Sequence, residues 1–344
     1  MSAFILLGSN VLNAQGQRQP GSLYQLLRDD IGFSQNEFKE MKEGKVVTKQ
    51  LETKVKQEIA VFSIVRINVH REFFIQNYGK DGMNLETVTA EETGKFSNSP
   101  ELDDVRSFSM PFTDLKELAK CQTCKCKVKA PADLIEEFRQ LDKSAPDFEA
   151  QANRLFRQVV VEYVQEYLKE GDAALVVYND KENPIRLSEE FQDLLKGSLY
   201  MYKYVPELRT YLKEFPKGEL HNVKNVFYWK KENFDGKAKQ PIISINHAVF
   251  YQRPNADKGV IVASKQLYAS HYFEAALGLT VIVDDPENAD PGFYLMHINR
   301  SRIDILREIP EFLARDFFKG AHNLLNKRMM TVKKNVEDAY KQAM

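Results

Sequence analysis

Apolar residues in the last third of the chain recur at the spacing of strands. Between residues 222 and 301, apolar stretches alternate with turn-forming clusters such as NFDGKAKQ, RPNADKG and DPENADPG. Strands that are joined by such turns form hairpins, so this pattern predicts an antiparallel meander. An earlier stretch at residues 59–70 predicts another strand, and its apolar side chains on both faces indicate that both faces are covered.

The middle of the chain has the spacing of helices instead. Residues 148–168 carry apolar side chains at steps of three and four, which place them on one helix face. Asp147 can cap the first turn of this helix, and Gly171 stands just past its end. Further predicted elements are a strand at 173–178 and helices at 188–195 and 206–215. We therefore predict a helical insertion at about residues 132–215.

The end of the chain predicts one long amphipathic helix that starts, or is kinked, at Pro310. Its apolar face consists of Ala314, Phe317, Phe318, Ala321, Leu324, Leu325, Met329 and Val332. At the other end of the chain, residues 16–57 are polar and predict only short helices, at 22–30 and 34–43. Ser34 and Glu37 have the spacing of a capping box at the second of these.

Together these elements predict an α+β fold in which an antiparallel β-sheet buries one face against the long C-terminal helix. We divide the chain into an N-terminal segment, residues 1–44, and a single α+β domain, residues 45–344, that contains the helical insertion. The order of elements resembles the helix-grip arrangement of the START-like superfamily, which includes polyketide cyclases and dehydrases. That resemblance covers roughly residues 45–340, and it implies a lipid-, isoprenoid- or polyketide-sized ligand between sheet and helix.

Four stretches also resemble an uncharacterised family of exported bacterial proteins: EIAVFSIVRINV, CQTCKCKVK, YKYVPELRTYL and VIVASKQLYASHYFEAAL. A pair of cysteines sits in the second stretch in that family, and Cys124 departs from that pattern.

The N-terminus bears on export as well. Phe4 to Leu7 resemble a short secretory core and Ala14 a cleavage position, although a basic start is missing. We expect export to the periplasm or medium if translation begins upstream, and a cytoplasmic protein if it begins at Met1.

The composition of the chain limits the classes of partner that it is expected to bind. The chain has 48 Lys and Arg against 49 Asp and Glu, so no overall positive field favours nucleic acid, and none is predicted as a partner. No apolar run approaches the roughly 18 residues of a transmembrane helix, so we predict no integral membrane segment in the mature chain. The sequence contains no P-loop, dinucleotide-binding glycine motif, H-E-x-x-H or EF-hand loop, and we predict no cofactor. It predicts no particular oligomeric state.

The three cysteines of the chain stand together in CQTCKCKVK, residues 121–129. They supply three of the four ligands of a zinc site, but no histidine is near, and the residues after Cys124 favour an extended segment over the helix start of a redox motif. In an exported protein, Cys121 and Cys126 can close a small disulfide loop that leaves Cys124 over. The disulfide is our prediction, with free structural cysteines as the alternative, and we predict no metal site.

The candidate ligand-binding residues are polar side chains on or near the predicted meander. His247 and His297 each share a strand face with apolar residues, which fits either a hydrogen-bonded core histidine or a cavity ligand. The cluster SKQLYASHYFEA offers Lys265, Tyr268 and His271 as cavity-lining groups, or as an ordinary strand end. Arg300 near the end of the last strand suits an anionic head group, or a salt-bridged edge.

These residues lead to three hypotheses about function. The first is a non-enzymatic protein that binds a hydrophobic or amphipathic, lipid-like small molecule between sheet and C-terminal helix. The second is an enzyme that acts on a hydrophobic substrate in the same cavity, with His247, His271 or His297 as acid or base; no catalytic residue is assigned, since Ser270 beside His271 lacks the geometry of a triad. The third is a structural or interaction protein of the cell envelope.

Overall fold

The computed structural model describes residues 23–79, 88, 90–233, 241–254, 259–285 and 291–344. The export prediction and most of the three predicted turn clusters lie outside these residues. In the described part, eight strands form one antiparallel sheet and a long helix ends the chain, as the α+β prediction requires. The strands are β1 (Val47–Leu51), β2 (Glu58–Ile67), β3 (Glu92–Lys95), β6 (Val223–Glu232), β7 (Ile242–Gln252), β8 (Val260–Ala269), β9 (Phe273–Asp284) and β10 (Phe293–Ile303); β4 (Val177–Tyr178) and β5 (Ile185–Arg186) pair separately.

The strand order of the main sheet is β1-β2-β10-β9-β8-β7-β6-β3. Strands β6 to β10 pair antiparallel with their neighbours in sequence, which confirms the predicted meander. The early strand β2 pairs antiparallel with β10, the last strand of the meander. The sheet therefore brings residues from both ends of the chain side by side.

The helices are α1 (Leu23–Gln25), α2 (Gln35–Lys42), α3 (Arg71–Phe74), α4 (Phe112–Leu118), α5 (Ala132–Arg139), α6 (Phe148–Glu170), α7 (Leu187–Gly197), α8 (Leu199–Tyr204), α9 (Pro206–Glu214), α10 (Ile305–Glu308) and α11 (Glu311–Ala343). Short π-helical turns lie at Leu26–Asp30 and Ile75–Gly79, and 3₁₀ turns at Leu102–Val105 and Gly171–Ala174. Helix α6 confirms the prediction for residues 148–168. The helical region begins at Phe112, earlier than predicted.

The insertion helices cover one face of the sheet. Phe156, Val160 and Val164 of α6 belong to the same core cluster as Ile245 of β7 and Leu277 of β9. We call this side of the sheet the insertion face. The helical insertion packs against this face and buries its apolar residues. The strands are therefore apolar on this face as well as on the one that meets the C-terminal helix.

The C-terminal helix α11 covers the opposite face, which we call the α11 face. Leu325, Met329, Val332 and Val336 share a core cluster with Val61 and other residues of β2, β9 and β10. Burial of such a side chain contributes roughly 2 kcal/mol relative to exposure. The spacing of the apolar residues in the sequence thus identified the face of α11 that packs on the sheet.

Strand β2 is buried along its whole length, because each face meets a different helix. Its residues Ile59, Val61, Val65 and Ile67 pack in the α11 cluster, while Phe62 and Ile64 pack with Met41 of α2 and neighbouring apolar residues. The prediction of a strand covered on both faces is confirmed.

Three local predictions differ from the structure. Strand β1 lies within residues predicted as irregular, and β3 was not predicted; both form the edges of the sheet and are rich in polar residues. The predicted strand at 173–178 is a strand only at Val177–Tyr178, because Gly171–Ala174 forms a 3₁₀ turn at the end of α6. The conformation of these short elements is set by contacts with neighbouring elements, and the spacing of their own apolar residues does not indicate it.

Candidate functional site

A cavity of about 80 Å³ lies between the α11 face of the sheet and helix α11. Its floor is formed by strands β6 to β10 and β2, and its roof by α11. The polar lining residues are Lys230, Glu232, Ser244, Asn246, Ser264, Gln266, His297, Asn299, Ser301 and Arg328; the others are Ile59, Val61, Ile242, Phe273, Ala276, Gly278, Ile303, Ala321, Leu324 and Leu325.

Much of the floor of the cavity is polar because neighbouring strands align their polar residues. Ser264 of β8 pairs with Gly278 of β9, which pairs in turn with Asn299 of β10. Asn246 of β7 pairs with Gln266 of β8 in the next row. Since Gly278 has no side chain, the floor is lowest between Ser264 and Asn299.

The roof of the cavity is apolar along most of its length. Helix α11 contributes Ala321, Leu324 and Leu325, which lie one turn apart or adjacent on the face that packs on the sheet. The cavity thus has a hydrogen-bonding floor and a hydrophobic roof. An amphipathic molecule matches both surfaces, since each part of it would meet a lining of its own polarity.

One end of the cavity carries a cluster of charged side chains. The Glu232 carboxylate lies 2.8 Å from Lys230 Nζ and 2.5 Å from Nη2 of Arg328, which comes from α11. Burial raises the pKa of Glu232, but the charges and hydrogen bonds of Lys230 and Arg328 outweigh burial, and the net effect is a lowered pKa. Glu232 is therefore ionised at neutral pH, and it ties α11 to β6.

Most polar groups of the floor are hydrogen-bonded to one another. Asn246 Nδ2 donates to Ser244 Oγ at 3.0 Å, and Ser301 Oγ donates to Asn299 Oδ1 at 2.6 Å. Ser264 Oγ lies 3.1 Å from the hydroxyl oxygen of Tyr228, which is on the same face of the sheet. Gln266 differs from these: it is buried, and its Oε1 has no hydrogen-bond partner among the described residues.

Of the six predicted ligand-binding residues, His297 lines this cavity. Its Nδ1 lies 2.8 Å from Thr280 Oγ1 on the neighbouring strand, where the two residues are paired in register. The other five are elsewhere. His247, Lys265, Tyr268 and Arg300 project from the insertion face of the sheet, and His271 lies in the turn between β8 and β9.

His247 is fully buried in an aromatic environment on the insertion face. It stacks on Phe227, with ring centroids 4.4 Å apart. Its Nε2 donates to Asn225 Oδ1 at 2.8 Å, which leaves Nδ1 to accept from the Tyr167 hydroxyl at 3.2 Å. Burial, together with the charge of Lys265, lowers the pKa of His247 well below 6.5. It is a neutral, doubly hydrogen-bonded core histidine at neutral pH.

Lys265 is also fully buried on the insertion face, and it is paired with Asp172. Its Nζ lies 3.9 Å from the centre of the Phe191 ring. Burial lowers the pKa of Lys265 to about 8, against the opposing effect of Asp172. The pair joins the 3₁₀ turn after α6 to strand β8.

The remaining three predicted residues also make contacts within the protein. The Tyr268 hydroxyl donates to the backbone oxygen of Lys129 at 2.8 Å, and His271 Nε2 lies 2.8 Å from Asp114 Oδ2. Arg300 forms a salt bridge with Glu58, as the alternative prediction of a salt-bridged edge expects. Both side chains are buried. A role for any of these residues in ligand binding stays a prediction.

The cysteines lie in the loop after α4, away from the cavity; Cys121 is buried in the core of the insertion face, and Cys124 and Cys126 are partly exposed. The Sγ atoms of Cys121 and Cys126 lie at a disulfide distance, 1.97 Å, and Cys124 is outside that pair. Backbone hydrogen bonds from Cys124 and Cys126 to the oxygens of Asn179 and Asp180 fix this loop next to β4. Across the described ranges, His, Cys, Asp and Glu side chains form no group of three or more that could hold a metal ion.

The polar floor residues other than His297 were not predicted from the sequence. The signal for them is a recurring pair of polar residues two positions apart in an apolar strand: Ser244 with Asn246, Ser264 with Gln266, and Asn299 with Ser301. Side chains two apart share a strand face, so each pair marks one polar patch. The repeat over three strands of one meander is what points to a shared site.

Comparison with protein-family models, curated proteins and solved structures gave no match for this chain. Among the residues that the structure describes, no helix combines the length and apolar composition of a membrane span.

Proposed function

We propose that this protein binds a small amphipathic molecule, without transforming it, in the cavity between the sheet and helix α11, and that the two form a helix-grip arrangement. The observation that carries the proposal is the lining of the cavity, in which the sheet supplies nine polar side chains and three of the four residues from α11 are apolar. A packed core would fill this space with apolar side chains. Polar side chains beneath an apolar roof instead favour a guest that is hydrophobic at one side and hydrogen-bonding at the other.

The size of the cavity limits the guest. A water molecule needs about 10–15 Å³ of such space, so about 80 Å³ accommodates roughly six waters. An enclosed ligand of that size has on the order of ten non-hydrogen atoms. A longer lipid-like ligand would place one end in the cavity and require α11 to shift for the rest. Ligand pockets of roughly 300–1,000 Å³, which hold drug-sized molecules, are considerably larger.

The position of α11 supports the helix-grip part of the proposal. The helix packs on β2 at one side of the sheet and is tied to β6 near the other side by Arg328 and Glu232. It therefore crosses the strands that form the cavity floor. A helix held at both sides leaves space in the middle only where the underlying side chains are short, and Gly278, Ser264 and Ala276 are short.

The test is to fill the cavity from its floor. Gly278 has the extended backbone of β9, so Gly278→Met fits the strand and projects its side chain between Ser264 and Asn299. We expect wild-type protein to bind 1-octanol in isothermal titration calorimetry, and Gly278→Met to bind it at least about tenfold more weakly because its side chain occupies the space.

Leu277→Met is the matched control, since it introduces the same side chain one residue away on the insertion face and conserves volume. It should bind 1-octanol as the wild type does. Equal binding by Gly278→Met and wild type would place the ligand elsewhere. Absence of binding by the wild type, together with no small molecule in native mass spectra of the purified protein, would overturn the proposal.

A further inference from the structure

Gln266 is the polar residue of the cavity whose hydrogen bonding is incomplete. It lies on β8 with 7% of its surface exposed, and Oε1 has no partner within the described part of the chain. A buried acceptor that is left without a donor costs about 1–3 kcal/mol, so such groups are rare in native proteins and call for an explanation. Gln266 lines the cavity, so a turn of its side-chain amide can bring Oε1 against a guest that supplies the missing donor.

The neighbouring donors are directed to other acceptors. Asn246 stands directly opposite Gln266 in the sheet, but its amide donates to Ser244. Ser264, two residues before Gln266, lies against the Tyr228 hydroxyl. The group that fits beside Gln266 Oε1 is therefore a donor that enters from the cavity.

The charged end of the cavity argues against an anionic guest. Lys230 and Arg328 both contact the carboxylate of Glu232, which is ionised at neutral pH. A carboxylate or phosphate on the ligand would compete with Glu232 for these two cations and repel it. The remaining floor groups, such as Asn299 and Ser301, are neutral.

On the basis of the proposed function, we infer that the ligand is a neutral amphiphile whose polar end carries an O–H or N–H group, and that this group donates a hydrogen bond to Gln266 Oε1. The apolar part of the ligand lies under Leu324 and Leu325 of α11. The ligand class is thus an alcohol or a primary or secondary amide, and not a fatty acid anion or a phosphate ester.

Two isomers test the donor directly. 1-Octanol and heptyl methyl ether have the same composition and nearly the same shape, but only the alcohol can donate. We expect wild-type protein to bind 1-octanol about tenfold more tightly than the ether, and more tightly than octanoate, in isothermal titration calorimetry at neutral pH. This comparison does not depend on any variant.

Gln266→Met removes the acceptor and keeps the length of the side chain. It should bind the two isomers equally, because the hydrogen bond that distinguishes them is gone. Gln252→Met is the matched control: it makes the same change at an exposed position at the end of β7, and should keep the tenfold preference. If Gln266→Met does not fold, Gln266→Leu takes its place.

The outcomes separate this inference from the function on which it rests. Equal binding of the two isomers by the wild type, or tighter binding of octanoate, would overturn the inference and leave the amphiphile-binding proposal standing, provided that Gly278→Met still weakens binding. A preference that survives in Gln266→Met would also overturn it. Failure of wild-type protein to bind any of the three compounds would count against both.

Discussion

At the scale of residues, the insertion face of the sheet contains ionisable groups that are held by specific partners. Lys265 has no exposed surface and is paired with Asp172. His247 lies close enough for the charge of Lys265 to lower its pKa. A buried lysine that keeps its charge depends on such a partner, because desolvation disfavours the ammonium form. The sequence showed that His247 has apolar neighbours, but the partner of Lys265 is 93 residues away in the chain and had no local signal.

The lowered pKa of Lys265 makes stability depend on pH. Between the folded-state value of about 8 and the ordinary value of 10.5, the unfolded chain binds more protons than the folded chain. Stability therefore rises with pH in this range. We expect the unfolding free energy of the wild type, relative to Lys265→Met, to increase by on the order of 2 kcal/mol between pH 8 and 10.

Urea unfolding at several pH values measures this difference. Lys169→Met, at an exposed position of α6, is the control and should run parallel to the wild type. A difference between wild type and Lys265→Met that stays constant from pH 8 to 10 would contradict the prediction.

At the scale of elements, helix α2 shows how much a short sequence signal can determine. Ser34 Oγ accepts from the Glu37 amide at 3.3 Å, and the Glu37 carboxylate accepts from the Ser34 amide at 2.7 Å, so the predicted capping box is present. Phe33 and Phe38 flank it, with ring centroids 5.3 Å apart, in the positions of a hydrophobic staple. All four residues are close in sequence, and this start was predictable.

Ser34→Ala tests the contribution of this cap. The substitution leaves the amide of Glu37 without its side-chain acceptor, and we expect the free energy of unfolding to fall by about 1 kcal/mol. Ser34→Gly should cost only a few tenths of a kcal/mol, since glycine is tolerated at this position. Chemical denaturation measures both. An alanine variant as stable as the wild type would show that the capping box contributes little here.

The edge strands show the opposite case. Strand β1 has the sequence VTKQL and only its first residue is buried. Its hydrogen bonds come from β2, which begins seven residues after β1 ends, and its exposure comes from its place at the edge. The spacing of the side chains of β1 indicates neither its hydrogen bonds nor its exposure. For this reason β1 was not predicted, whereas the buried strands were.

At the scale of the whole molecule, helix α11 closes the cavity and covers the sheet. Its contact residues are separated from β2 by most of the chain, yet they form one core cluster with it. Met329 and Met330 are adjacent on α11 but differ in environment, with 0% and 58% of their surface exposed. They provide a matched pair for testing how α11 docks.

We expect Met329→Ala to lower the free energy of unfolding by about 2–4 kcal/mol, because it leaves a cavity under the helix. Met330→Ala should change it by no more than about 0.5 kcal/mol. Denaturant titration of both variants measures the difference. Similar effects of the two substitutions would show that α11 does not pack on the sheet through the Met329 face.

The elements whose side chains repeat at a regular spacing could be predicted from the sequence: the meander, the long helix of the insertion, and the apolar face of α11. Backbone geometry sets these periods locally, so they can be read without knowledge of the fold. Which strand face meets which helix could not be predicted in this way and is known from the fold alone. His247 and Asn246 are neighbours, and alternation says that they point to opposite faces, but it does not say that His247 faces the insertion and Asn246 the cavity. That choice depends on contacts between residues far apart in the chain, and for this reason four of the six predicted ligand-binding residues lie on the opposite side of the sheet from the cavity.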